Sequence, residues 1–190
     1  MVKERDRLCR NHGPLWECGG VLIRERTEAD RGAIDDLAKV AHANDNYPVY
    51  VGGDLLSFIL VPHAIGAWVA DRTGTVVGHV ALHPRSSSTA VMALAEQATG
   101  LPAARLAVVA RLLVSPTARR DGIGRLLLGA AADRAAQLGL WPILDVVAGS
   151  EAPIRLYEKA GWTCAGQVTV TFGQSGPIDE LVFLGPPPSG

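Results

Sequence analysis

The sequence predicts an α/β domain built on a mixed sheet. Three observations predict it. The apolar pattern switches between strand-like and helical periods. The elements run strand, two helices, three strands, helix, strand, helix, two strands. The best helix follows directly on an apolar strand. At 190 residues the chain fits one domain large enough to bury a core.

Taken in order, residues 1–19 are charged, contain Pro14 and Gly19, and show no clear period, so they read as an extension. From Gly20 to Arg26, Val21 and Ile23 alternate against Leu22 and Arg24 as in a strand. Thr27 and Asp30 offer N-caps for a helix over roughly 29–42, with Ile34, Leu37, Ala38 and Ala41 on one stripe. A polar and aromatic loop, Asn44 to Tyr50, leads to a short helix over 53–60. Ala67–Ala70 and Val76–His83 then flank the turn Asp71-Arg72-Thr73-Gly74 as a hairpin. Pro84–Pro102 reads as a long insertion with a helix near Ala90–Ala98. Leu106–Val114 is an apolar strand interrupted by Arg111.

Asp121–Leu138 is the strongest helix, with Ile123, Leu126, Leu127, Ala130, Ala131, Ala135 and Leu138 expected on the buried side, and Gly139 stops it. Pro142–Val147 is a strand and Glu151–Ala160 a helix ending at Gly161. Runs near Thr163–Phe172 and Glu180–Leu184 complete the sheet, and residues 186–190 form a Pro-rich tail. The body of the domain is therefore expected over 20–185.

Composition narrows the function. Eighteen basic residues against nineteen acidic ones, a net charge of -1, argue against a broad nucleic-acid surface. The apolar stretch Leu55–Ala70 is broken by Pro62 and Gly66, so no membrane span is expected. The first ten residues, MVKERDRLCR, lack the apolar run of a signal peptide. Three cysteines do not make a disulfide framework. A soluble cytoplasmic protein is the expectation.

The informative segment is Val114-Ser115-Pro116-Thr117-Ala118-Arg119-Arg120-Asp121-Gly122-Ile123-Gly124, between a strand and a helix. Glycines at a helix start let backbone N–H groups approach a ligand, and the helix dipole favours an anion such as pyrophosphate. Arg119, Arg120 and Arg125 add positive charge there. A strand-to-helix turn with solvated arginines would look the same. Two phosphate motifs are excluded: Gly124 is followed by Arg125 and Leu126 instead of Lys and Ser or Thr, and position 127 is Leu instead of a third glycine.

Arg119-x-x-Gly122-x-Gly124 after an LLVSP strand end resembles the acyl-CoA-binding motif of the GNAT superfamily of N-acetyltransferases. A second block at the expected distance, Ser150 to Trp162, resembles the same family. The resemblance covers roughly residues 20–185. It implies the acyl-CoA N-acyltransferase fold, a central mixed, mostly antiparallel, twisted sheet of about seven strands flanked by about four helices. It also implies acetyl-CoA as donor. Backbone groups of Leu112, Leu113 and Val114 would pair with the pantetheine arm, and the N–H groups from Arg119 through Arg120, Asp121, Gly122 and Ile123 to Gly124 would cradle the pyrophosphate. Ser150 stands where many members have a cofactor-contacting asparagine, and Pro153 where they usually have alanine. Tyr157 would give a proton to the departing thiolate.

Acetyl transfer to an amine also needs a neutral nucleophile and a stabilised oxyanion, which a backbone N–H near Leu112–Val114 can supply. The central strands would have to splay to admit the pantetheine. For the base, Asp145 precedes Tyr157 by twelve positions, the spacing of the catalytic glutamate and tyrosine in ribosomal-protein alanine N-acetyltransferases. His79 and His83, four apart on one strand face, are alternatives, and each is also an ordinary structural histidine. Asp45, Tyr47 and Tyr50 fall where family members bind the acceptor, with Asp45 placed to attract a cationic amine; a solvated loop with packed tyrosines is the alternative. The insertion, with Glu96, would either form a lid over that cleft or cap a sheet edge.

Cys9, His12 and Cys18 make a weak zinc set, so no metal is expected. Cys164 is expected buried and inert. The expected function is direct acetyl transfer to a primary amine, on a small molecule or a peptide, in a ternary complex. A non-catalytic acyl-CoA-binding regulatory module is the rival. Homodimerisation through the last strands is an expectation by analogy.

Overall fold

The computed structural model describes residues 10–11, 16–18, 20–45, 47, 54–171 and 176–188. The described residues fall into two compact units, one drawn from the spans 1–61, 66–81 and 111–130, the other from 62–65, 82–110 and 131–190. Among the described residues, seven strands of five or more residues and five helices make up a mixed, mostly antiparallel sheet fold of the predicted class.

In the first unit the strands are β1 (Arg10–Asn11), β2 (Trp16–Cys18), β3 (Val21–Glu25), β4 (Gly66–Arg72) and β5 (Thr75–His83) through Ala81, with the end of β6 (Leu106–Val114). β1, β2, β3 and β4 pair successively and antiparallel, so two short strands lie within the segment read from sequence as an extension. Val21 and Ile23 are buried, as the period-two pattern predicts. Thr27 and Asp30 cap each other's backbone ahead of a single 3-10 turn, from which α1 (Arg31–Asp45) continues. Its stripe Ile34, Leu37, Ala38 and Ala41 packs with Ile59 of α2 (Leu55–Ile59), Val69 and Leu113. Arg24 binds the Asp30 carboxylate at 2.7 and 2.9 Å and Asp71 at 3.1 Å. The Asp30 carboxyl is thereby held far below its ordinary range, first by the Arg24 hydrogen bonds and then by Thr27. Gly78 of β5 is a close-approach position, because a Cβ there would lie 2.8 Å from Leu127 Cδ1 and 3.1 Å from the Leu113 carbonyl oxygen.

The second unit orders its strands β6, β7 (Trp141–Val147), β9 (Ile178–Leu184) and β8 (Thr163–Val170). β6 and β7 are parallel; β9 runs antiparallel to both its neighbours. β8 carries a bulge between Cys164 and Gly166. The insertion holds α3 (Thr89–Thr99), capped by Ser88 and ended by left-handed Gly100. Its Val91, Met92 and Ala95 pack with Leu106, Val108, Ile143, Val170 and Val182. The segment therefore belongs to a core and is not a lid, because its apolar stripe is already occupied. Glu96 accepts from the Ala103 backbone N–H at 2.6 Å, which ties down the return to β6.

Two expectations about individual side chains are corrected. Along α4 (Ile123–Gln137), Leu128 is buried where Leu126 was expected, Leu126 is half-buried, and Leu138 lies past the helix end and is exposed. The buried stripe is Ile123, Leu127, Leu128, Ala130, Ala131 and Ala135. Cys164 is exposed, since the bulge breaks the alternation of β8 at that point. Among the described residues no helix is long and apolar enough to cross a membrane.

Candidate active site

The strand–loop–helix segment folds as the glycine pattern requires. Ser115 N–H donates to the Val77 carbonyl at 2.8 Å, a 3-10 turn covers Pro116–Ala118, and Ala118 N–H closes on Ser115 at 2.9 Å. Arg120 (φ 69°) and Gly122 (φ 80°) both adopt left-handed conformations, which turn the chain into α4. Nothing lies within 4 Å of where a Gly122 Cβ would stand, so this glycine is demanded by backbone conformation and not by crowding. Arg120, Asp121 and Arg125 are exposed, Gly124 is half-buried and Ile123 is buried. α4 opens with Leu126 N–H on the Gly122 carbonyl at 3.1 Å, leaving the earlier N–H groups at the helix entrance without a helical partner.

Two carboxylates hold this loop. Arg119 binds Asp45, the last residue of α1, through both guanidinium ends, Nη1 reaching Oδ1 at 3.0 Å. Arg72 donates to Asp121 at 2.6 Å. Asp45, read from sequence as an attractor for a cationic amine, is thus engaged by Arg119 of the loop. Tyr47 is half-buried and its ring meets Phe58 edge-on at 6.3 Å; Tyr50, Cys9 and His12 lie outside the described residues. Among the described residues no group of three or more ligating side chains assembles a metal site.

The strand ahead of the loop is bent. Arg111, which interrupts the apolar run of β6, has φ 57°, a conformation long side chains rarely take. Three contacts secure it. Its Nε donates to the Phe58 carbonyl at 2.9 Å, its guanidinium carbon lies 3.7 Å from the Phe58 ring centroid, and its carbonyl oxygen is 3.1 Å from His79 Nδ1. A carbonyl only accepts, so Nδ1 carries the proton, and fully buried His79 is a clamp on the bend. His83, also buried, ends β5. The sequence marks Arg111 as an interruption, but its positive φ has no glycine to announce it.

The parallel ladder between β6 and β7 pairs Leu106–Val108 with Trp141–Ile143 and stops there, although β7 runs on to Val147, paired with β9 on its other side. Asp145 lies two residues past that end. α5 (Glu151–Lys159) presents Tyr157, buried between Trp162 at 6.4 Å and Phe183 at 5.7 Å between ring centroids. Ser150 occupies the N-cap position of α5 without a side-chain capping bond. Phe183 pairs with Leu144, whereas Asp145 pairs with Val182, which packs against α3. Strand alternation therefore sets Asp145 and Tyr157 on opposite faces of the sheet.

Sequence reasoning missed Glu180. It is buried, has no hydrogen-bond partner for Oε2 among the described residues, and shares the Asp145 face. Burial first, and then the Asp145 charge, push its carboxyl up to about 7. The available signal was the series Ile178, Glu180, Val182, Leu184, with a charge at one apolar beat; starting the strand at Glu180 hid it.

An open mixed sheet whose central parallel ladder ends early, ahead of a left-handed loop into a helix, defines an acyl-CoA N-acyltransferase fold. The model of the acetyltransferase (GNAT) family matches residues 19–162, and the chain belongs to that family. Solved structures agree on the fold. A putative acetyltransferase of Salmonella typhimurium, yncA, determined with acetyl-CoA, superposes with a TM-score of 0.65 at 18% identity, over 87% of this chain and 93% of that one. The ribosomal-protein-S18-alanine N-acetyltransferase of Escherichia coli gives 0.64 at 18% identity, over 90% and 96%. NAA60 of Arabidopsis thaliana, in complex with acetyl-CoA, gives 0.64 at 16% identity, over 86% and 98%. No curated protein matches the chain.

Proposed function

We propose that the protein transfers the acetyl group of acetyl-CoA to a primary amine by direct attack in a ternary complex. The observation that carries this reading is the early end of the β6–β7 ladder at Val108 and Ile143, which leaves strand edge for a peptide-like ligand arm. Acetyl-CoA supplies an activated acyl thioester. The backbone of Leu112, Leu113 and Val114 pairs with its pantetheine and holds the thioester oxygen. N–H groups from Arg119 to Gly124 receive the pyrophosphate, with Arg120 and Arg125 adding charge and Ser150 offering a hydroxyl from the start of α5. Tyr157 protonates the leaving sulfur, and Asp145 draws the proton from the amine. His79 serves the bend in β6, which leaves His83 as the histidine alternative.

The acceptor approaches past Asp45, Tyr47 and Tyr50, and the released Asp45 carboxylate meets its cation once the donor has claimed Arg119. The same reading includes a cytoplasmic protein and a homodimer formed through the last strands. It needs neither a metal nor an acyl-enzyme, and no nucleic-acid or membrane partner.

Thermal unfolding with and without acetyl-CoA, with NADH and ATP as controls, tests the donor. A ligand at a hundred times its Kd stabilises by about 2.7 kcal/mol, a rise of about 5–10 °C for a domain of this size. A shift with acetyl-CoA alone is expected; no shift in a folded protein refutes the donor. Tyr157→Phe then separates enzyme from binding module: it should keep the thermal shift and lose thiol release in the presence of primary amines. Undiminished release would remove Tyr157 from the mechanism.

A further inference from the structure

Within the second unit, the carboxylates of Asp145 and Glu180 stand on one face of the sheet, just past the point where β6 and β7 part. Glu180 is opposite Val147 and Asp145 opposite Val182, so the two are diagonal neighbours across the β7–β9 ladder. Glu180 is only 6% exposed, and its Oε2 has no hydrogen-bond partner among the described residues. A buried carboxylate oxygen left unpartnered costs stability unless something outside the chain satisfies it. Among the described residues no cation from the surrounding elements does so. On β9 itself, Asp179 faces the other way and accepts from Thr169 Oγ1 at 2.7 Å. Gly166, Val168 and Val170 of β8 carry no charge. The one carboxylate of α3, Glu96, is committed to Ala103. The group facing Glu180 is Asp145, of like sign.

We propose that Glu180, with Asp145 beside it, receives the ammonium of the acceptor and takes its proton, which makes the acceptor an aliphatic primary amine that arrives as a cation. This rests on the acetyl-transfer reading and refines it: the proton given there to Asp145 goes to Glu180, and the primary amine is one that arrives charged. The step is a proton transfer alone: R–NH3+ and the Glu180 carboxylate become R–NH2 and a carboxylic acid, and the proton passes to water as the site turns over. No bond to carbon changes in it. Two carboxylates disfavour each other's ionisation, so a cation is attracted by both while one of them is basic enough to accept its proton near neutrality. In this refinement Asp145, the base of the simpler reading, becomes the charge that tunes Glu180, a positioning residue in place of the proton acceptor.

The test uses the full chain, Glu180→Gln and Asp145→Asn, with cadaverine, lysine amide and an alanyl peptide as acceptors and thiol release as the readout. Glu180→Gln should lower kcat/KM by 10²- to 10³-fold, abolish the acidic limb of its pH profile and leave the acetyl-CoA thermal shift unchanged. Asp145→Asn should move that limb to lower pH, because the charge that raises the Glu180 carboxyl is gone. Retained rate and limb in Glu180→Gln would overturn the proposal and leave acetyl transfer standing. If the wild type transfers to none of these amines, acetyl transfer to an amine is what fails. Side-chain carboxyl ¹³C spectra then decide the binding claim independently. The Glu180 carbon should titrate near neutrality and move on adding cadaverine but not 1-pentanol; no response to the diamine would overturn it.

Discussion

Replacing Glu180 with glutamine should make the protein more stable in base than the wild type, and hardly change it in mild acid. The folded chain holds the Glu180 proton up to about pH 7, whereas an unfolded glutamate releases it near 4.5. Between those values the folded state binds more protons than the unfolded state, so the stability contributed at this site falls as pH rises. Each pH unit in that window is worth about 1.4 kcal/mol, and the full window about 3 kcal/mol as an upper bound. Glutamine matches the protonated side chain in size and cannot ionise, so it escapes that cost. Urea unfolding of both proteins at pH 5 and pH 8.5 reads the effect directly. The variant should gain up to about 3 kcal/mol relative to wild type at pH 8.5, a rise in Tm of about 6–12 °C, and much less at pH 5. Equal stability at both pH values, or an equal loss at both, would show that the ionised carboxylate is satisfied in the fold and that the reasoning is wrong.

Asp30→Ala should cost about 2–3 kcal/mol, because it removes the fork with half-buried Arg24 and the Thr27 cap together. Since the Asp30 carboxyl is depressed in the fold, its contribution is present above the ordinary aspartate value and is lost as pH falls below it; acid unfolding curves of the variant should be flatter there. Gly78→Ala should destabilise by about 1–3 kcal/mol, measured by urea unfolding, as its methyl meets Leu127 and the Leu113 carbonyl; a neutral effect would mean that α4 can shift. Asp45→Ala should tighten acetyl-CoA binding, measured by calorimetry, by up to about fivefold, since an exposed ion pair worth at most about 1 kcal/mol no longer competes for Arg119. Unchanged affinity would show that Arg119 does not face the donor.

What the sequence makes legible here is whatever glycines and periodicity control. Gly122 announces the left-handed entry to α4, Gly100 ends α3 and Gly139 follows α4, and the Ile34–Ala41 stripe marks the packed face of α1. Every long strand and helix is found from such signals within a few residues. The site is less legible because its parts are set by pairing between distant segments. Arg111 adopts a positive φ because Phe58 and His79 hold it there, and neither is near it in sequence. The partnership of Arg119 with Asp45 joins residues 74 apart, so charge and position alone suggest separate roles for them. Glu180 depends on the β7–β9 register, which no local pattern specifies. The insertion misleads for the opposite reason: its serine-rich start suggests a surface loop, while Val91, Met92 and Ala95 place its helix in a core.

The bulge in β8 bears on how copies of this protein can meet. β8 is a border strand, and among the described residues its outer edge pairs with no other strand. Such an edge is a template for any extended chain, its own twin included. Past the irregularity at Cys164 and Gly166, a regular run remains only over Gln167–Val170, about 13 Å of backbone. Along it Gln167 and Thr169 face solvent and Val170 faces inward. A continuous sheet spanning two copies would thus be confined to a short polar seam. That protects the border against runaway stacking, and it requires any stable pair to draw its contact area from the faces of these strands rather than from their rims.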